Sequence, residues 1–225
     1  MSRFWLILLE AFPQILLQGI KVTLPLTAVS FFFALIISVI VAMIQYADIP
    51  VLKQICRFYI WIIRGTPLLV QMYVIFYGLP SVNVFLDAWT SAILVLSFNE
   101  GAYMAETVRG ALESIPVGQV EAGQCVGLSY LQIMWHIVLP QAFKVAFPSL
   151  SNSLIGLLKE TSLATTITIT EMIRQAQIIN SRVYETLGLY CEVAIIYLAF
   201  CTVLTWIQRA AEKRLNRVGG RTEND

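Results

Sequence analysis

The sequence predicts an all-α integral membrane protein with five transmembrane helices, an N-terminal interfacial helix and short helices on a cytoplasmic loop. Two observations predict it. Hydrophobic residues fill 58% of the 225 positions and charged ones only 13%, about half the usual charged share of a globular chain. A soluble core of this length cannot hide that much apolar surface. Residues 22–47 and 65–86 contain no charged side chain, and each run exceeds the roughly 20 residues a helix needs to cross hydrocarbon. Only helices or closed barrels satisfy their backbone in lipid, and these runs lack the alternation of barrel strands.

The elements follow in order. Residues 1–18 are apolar but broken by Glu10 and Pro13, which suits an amphipathic helix lying at the interface. A cleaved signal fits less well, because the apolar core is short and no small-x-small site follows. The first span ends at Asp48-Ile49-Pro50 and the second at Gly78-Leu79-Pro80-Ser81, both turn signals. Three further spans are less clean: Trp89–Glu106 carries Glu100, Phe147–Ile169 carries Lys159-Glu160, and Leu187–Trp206 carries Glu192. No internal repeat or inverted pair of broken helices is visible.

Orientation follows from Lys and Arg near the span ends. With the N-terminus outside, Lys53, Arg57, Arg64, Arg109 and Lys144 face the cytoplasm. So does the basic tail of residues 210–225, with Lys213, Arg214, Arg217 and Arg221, just after Arg209. Only Arg3, Lys21, Arg174 and Arg182 then lie outside. The expected location is the cell (inner) membrane, multi-pass, with the C-terminus in the cytoplasm.

Several chemistries lack support. Cys56, Cys125, Cys191 and Cys201 are scattered, and the single His136 has no ligand-spaced neighbour, so neither a metal site nor a disulfide framework is indicated. No Gly-rich phosphate loop, GxSxG or HExxH occurs. The chain has no nucleotide-binding equipment of its own.

The connection Thr107–Ala146 is too long to be an idle loop. Val117–Val126 can form a short helix, with Gly127 as its C-cap or a bend. Leu128–Val138 can form a second, with Ser129 as N-cap and Pro140 marking the next break. The stretch Glu121–Pro140 is too polar and short for lipid, yet too apolar at Leu128, Leu131, Ile133, Met134 and Trp135 for water. Two short helices on the inner face make a docking knob that needs a protein to cover it. Trp135, Met134 and Ile133 can pack on that partner or back on the membrane domain.

The pattern Glu121-Ala122-x4-Gly127-x9-Ile137-x-Leu139-Pro140 resembles the EAA signature of ABC importer permeases, departing at Gly123, where Ala is usual. Gly19-x-x-x-Thr23-Leu24, Arg64-Gly65-Thr66-Pro67-Leu68, Ala102-Tyr103-x-x-Glu106-x-x-Arg109-Gly110 and Lys159-Glu160-Thr161-Ser162-Leu163 are similar to the polar amino-acid subfamily of the type I fold. Pro148-Ser149-Leu150-Ser151-Asn152-Ser153 and Arg174-Gln175-Ala176-Gln177 look most like L-cystine permeases within it. The resemblance implies an ABC type-1 permease domain over 19–209 and a homo- or heterodimer of permeases. It also implies two cytoplasmic ATPases that bind ATP and Mg, so that no cofactor binds this chain, and an extracytoplasmic amino-acid-binding protein. Glu121, Ala122, Gly127, Ile137, Leu139 and Pro140 would then couple to the ATPase. For Glu121, the plain alternative is a solvated helix charge worth little.

Ionisable groups inside a membrane are costly and default to functional hypotheses. Ser149, Ser153, Gly156 and Glu160 share one helix face, suited to lining a cavity or to close packing. Glu160 can meet the α-ammonium of an amino acid, or pair with Lys159 or a neighbouring helix; Thr161 and Ser162 can cap a break after it. Asn99 and Tyr103 are further pathway candidates. Glu100 can be a buried acid partnered by Arg64, while Arg64 can equally be a snorkelling anchor. Glu106 and Arg109, one turn apart, are expected to pair and fix the loop. Glu192 has no evident partner. Two readings compete with the importer: an ion-coupled secondary carrier using Glu100 or Glu160 as a proton site, and a structural scaffold without transport.

Overall fold

The computed structural model describes residues 3–218, and every regular element among them is helical. The chain begins with α1 (Arg3–Gln18), a π turn over Gly19–Thr23 and α2 (Leu24–Tyr46), which together run as one 44-residue helix. At 1.5 Å per residue this is about 66 Å, so residues 3–18 continue into α2 rather than forming a separate helix. Ala11 and Ile15 are buried in a cluster with Met172, Ala176 and Leu189.

After an Asp48 turn come α3 (Pro50–Gly65) and α4 (Leu68–Tyr73), the latter extended by a π turn over Val74–Gly78 and a 3-10 turn to Val82. The two halves meet at 103°. The charge-free run 65–86 therefore supplies only the second half, Leu68–Val82, of this bent pair. Its break sits at Thr66 (φ −123°, ψ 143°), the residue before Pro67, where the proline ring excludes the helical region.

α5 (Ala88–Glu113) is capped by Asp87, whose carboxylate accepts the Thr90 N–H at 3.1 Å. The loop helices α6 (Val117–Cys125) and α7 (Tyr130–Ile133) follow; a third π turn, Met134–Val138, leads into α8 (Leu139–Glu160). Pro140 does not break the chain here, because it falls in the first turn of α8 just after the π turn. α8 stops at Glu160 rather than running to Ile169. A 3-10 segment, Thr161–Ile167, continues to Thr168 in the left-handed region (φ 72°). The amphipathic α9 (Met172–Val183) and α10 (Thr186–Val218) complete the order.

α2 and α5 pack along most of their length, with α8 on α5 and α10 on α8. One core joins α2, α5 and α8 to the α7 segment through Met104, Leu112, Ile133, Met134 and Val138. A second joins α2, α4, α5 and the 3-10 segment. By length and composition alone, 3–46 and 186–215 can cross a membrane, with the bent 50–82 pair as a third. Basic tail residue Arg221 lies outside the described residues.

Candidate functional site

The α3–α4 bend opens a cavity of about 380 Å³ lined by Arg64, Thr66, Pro67, Asn99, Tyr103 and Glu160, among others. α5 supplies Asn99 and Tyr103 four residues apart on one face, and α8 brings Glu160 on its last turn. The Glu160 carboxylate has one deeply buried oxygen, Oε2, without a hydrogen-bond partner. Neither Glu160 nor Arg64 enters an ion pair among the described residues. The Arg64 guanidinium lies over the Tyr103 ring, 5.1 Å from its centroid. This is a cation–π contact rather than the Arg64–Glu100 partnership considered from sequence. Glu100 is buried on the α5 face turned to α8, near Ser153 and within reach of the Glu160 charge.

Of the small polar face on α8, only Glu160 reaches this cavity. Ser153 and Gly156 are half-buried outside its lining, and a Cβ at Gly156 would meet open space. Glu192 is buried with an unpartnered Oε2.

Two residues, the half-buried Gln71 and the buried Glu171, escaped the sequence reading. Gln71 donates through Nε2 to the carbonyls of Ile63 (2.8 Å) and Thr66 (3.1 Å) on the far side of the bend, and its Oε1 accepts from Asn99 Nδ2 at 3.0 Å. Glu171, fully buried, accepts the Arg174 N–H at 3.0 Å as N-cap of α9 and the Tyr197 hydroxyl at 3.1 Å. A glutamine inside a charge-free run signalled the first. A carboxylate just before an amphipathic helix signalled the second.

Residues 114–138 hold the two short helices α6 and α7, as the sequence predicts. Gly127 ends α6 at φ +81°. The Gly127 N–H bonds Gln124 O at 2.9 Å and the Leu128 N–H bonds Gly123 O at 3.0 Å, the paired bonds of a Schellman cap. Ser129 and Gln132 form a reciprocal capping box that starts α7. Glu121 and Ala122 lie exposed on α6, while Gly123 is buried against Ile133 and Ile137. Leu139 is half-buried and Pro140 exposed. Ile133 and Met134 turn into the membrane core. Trp135 (71%), Leu131 (76%) and Val117 (70%) stay exposed, apolar side chains on the loop helices that nothing among the described residues covers. On α5, Arg109 donates to Glu106 at 2.8 Å and to Glu113 at 2.7 Å.

Residues 34–217 match the family described as binding-protein-dependent transport system inner membrane component. The chain belongs to this family. The permease is 42% identical to the L-cystine transport system permease protein TcyB of Bacillus subtilis over 214 residues, covering 95% of this chain and 92% of that one. It is 36% identical to the nopaline transport system permease protein NocM of Agrobacterium fabrum, covering 95% of each. A solved amino acid ABC transporter with histidines superposes with a TM-score of 0.87 at 29% identity, covering 95% of this chain and 99% of that one. An inward-facing MetNI methionine ABC transporter, 20% identical with a TM-score of 0.74 and covering 96% and 99%, shares the fold. The permease is thus an all-helical, membrane-embedded transport subunit of an ABC importer and not an enzyme. Nucleotide binding belongs to a partner ATPase, and a second permease completes the membrane part. None of these relatives supports the ion-coupled carrier.

Proposed function

We propose that this permease moves a polar amino acid, with cystine the leading substrate, through the cavity at the α3–α4 bend. The observation that carries this reading is a pair of opposite charges, Arg64 and Glu160, lining one cavity without pairing to each other. A zwitterion offers the complement: its α-ammonium to Glu160, whose buried oxygen lacks a donor, and its α-carboxylate to Arg64. Asn99 and Tyr103 add a polar and an aromatic wall, and about 380 Å³ falls within the usual range of small-molecule sites. Cystine is favoured by the likeness to TcyB.

In this reading five spans, built on α1–α2, α3–α4, α5, α8 and α10, form the type-1 domain of residues 19–209, with the N-terminus outside and the C-terminus in the cytoplasm. The exposed knob of Val117, Leu131 and Trp135, with Glu121, Ala122 and Gly127 beside it, docks on the ATPase. Ile137, Leu139 and Pro140 carry its motion into α8. An extracytoplasmic binding protein delivers substrate to a homo- or heterodimer. Nucleotide and loaded binding protein both favour the outward-facing state, and their combined preference shifts the population.

The test reconstitutes the permease with its ATPase and binding protein and measures labelled uptake and substrate-stimulated hydrolysis. Glu160→Gln is expected to abolish cystine uptake while basal hydrolysis persists; unchanged uptake overturns the cavity assignment. Glu121→Arg with Gly127→Asp is expected to uncouple hydrolysis from substrate, and intact coupling would sink the docking argument. A competition panel of amino acids tests the choice of cystine.

A further inference from the structure

A second cavity, of about 310 Å³, lies at the Asp48 end of α2, away from the proposed substrate site. It is lined by Gln45 of α2, Lys53 and Arg57 of α3, and Glu106, Arg109 and Glu113 of α5. Lys53 is paired with Asp48, and Arg109 with both glutamates. Arg57 enters no ion pair among the described residues. Gln45 is only 8% exposed, and its Nε2, though near Glu106, has no hydrogen-bond partner. A buried amide N–H without an acceptor is costly. The cavity thus holds one free cation and one orphaned buried donor, both suited to an acceptor oxygen.

Beside it, α3 turns an apolar face out of the bundle. Trp61 follows Arg57 at the four-residue spacing that shares a helix face. Trp61, Phe58, Ile55 and Ile62 are all exposed, with the Phe58 and Trp61 rings 5.9 Å apart. A cation at the end of a span with an aromatic, apolar strip one turn deeper is the pattern that suits a phospholipid. Within the cluster, Asp48 pairs with Lys53, and Glu106 and Glu113 with Arg109, so Arg57 is the cation outside the ion pairs among the described residues. A lipid adds apolar contact that a free phosphate lacks, and a choline headgroup would set a second cation beside Arg57, whereas phosphatidylglycerol brings none.

We propose that this cavity binds the phosphate of an anionic phospholipid, its oxygens on Arg57 and Gln45 and its acyl chains along Phe58 and Trp61. The inference rests on the orientation proposed above only for which leaflet supplies the lipid. The experiment places the full chain in phosphatidylcholine nanodiscs and compares association of spin-labelled phosphatidylglycerol with spin-labelled phosphatidylcholine. Phosphatidylglycerol is expected to associate preferentially. Arg57→Ala, at an exposed position, should weaken that preference about fivefold. Gln45→Leu should also reduce it, and Lys144→Ala, outside the cavity, should leave it intact. Equal association of the two lipids, or a preference that survives both Arg57→Ala and Arg57→Gln, overturns the proposal. Displacement of the lipid by inorganic phosphate would assign the site to free phosphate and overturn it as well. Lipid association needs neither substrate nor ATPase, so this result is independent of the transport reading.

Discussion

Gln71 and Asn99 are joined by a hydrogen bond of 3.0 Å that ties the α3–α4 bend to α5. Gln71 also holds the Ile63 and Thr66 carbonyls, which the break at Pro67 leaves without helical donors. The amide therefore acts as a tertiary C-cap for α3 and as an anchor for a wall of the cavity.

Gln71→Leu is expected to cost about 1–3 kcal/mol, because partly buried acceptors lose their donor. Asn99→Leu removes one bond and should cost less. The pair should be non-additive, since the second change removes a contact already lost. Thermal unfolding of the purified permease gives the three values, and hydrogen exchange over 63–71 locates the loosening. Additive costs with unchanged exchange would show that Gln71 does not hold the bend.

Gly123 stands where the EAA pattern usually has Ala, and packing supplies the reason. A Cβ there would sit 2.8 Å from Ile133 Cγ1 and 3.2 Å from Ile137 Cδ1, so α6 lies closer to the α7 segment than an Ala would allow. Gly weakens the helix relative to Ala, but it also lets the helix dock. Gly123→Ala should lose about 1–3 kcal/mol to overpacking, partly offset by about 1 kcal/mol of helix propensity. With Ile133→Ala to make room, the cost of adding the Cβ should vanish in a double-mutant cycle of unfolding energies. An equal cost in both backgrounds would place the clash elsewhere.

What the sequence revealed was local or compositional. The charge-free run 22–47 exposed α2, Ser129 and Gly127 marked the loop helices, and Glu106–Arg109 needed only helical spacing. What it concealed depended on three-dimensional neighbours. Arg64 could be assigned to Glu100 by charge, but the bend at Pro67 carries it over Tyr103. Gln71, Glu171 and Gln45 looked like incidental polar residues because their partners, or the lack of them, lie on other helices. The continuity of α1 with α2 was hidden by Pro13, which a long helix packed on α9 and α10 tolerates.

Three π turns also went unseen, although a repeated dipeptide marks them. Gly19–Thr23, Val74–Gly78 and Met134–Val138 are each followed by Leu-Pro: Leu24-Pro25, Leu79-Pro80 and Leu139-Pro140. In each, the leucine N–H bonds the carbonyl five residues back. A proline in a regular helix clashes with the carbonyl four residues earlier, and one extra residue in the turn absorbs that clash. Pro140→Ala should therefore stabilise the segment locally, slowing hydrogen exchange of amides 138–142. If the turn must yield during coupling, substrate-stimulated hydrolysis should fall as well. Unchanged exchange would show that Pro140 does not control the turn.

Asp87 sets a pH dependence outside the membrane spans. Hydrogen bonds from the Thr90 side chain and N–H hold its carboxyl below the ordinary value of 3.8. A carboxyl lowered on folding contributes stability that is fully present above its unfolded value. That contribution is lost as pH falls through the lower folded value. The first turn of α5 should therefore loosen in acid, below about pH 4, as the cap protonates. Asn caps nearly as well and does not titrate in this range, so Asp87→Asn should flatten the acid dependence while matching the parent near neutrality. Asp87→Ala should expose the α5 start to exchange at all pH values. Hydrogen exchange of residues 88–92 from neutral pH into acid reads all three proteins, and an unaltered acid response in Asp87→Asn would assign the pH effect to another group.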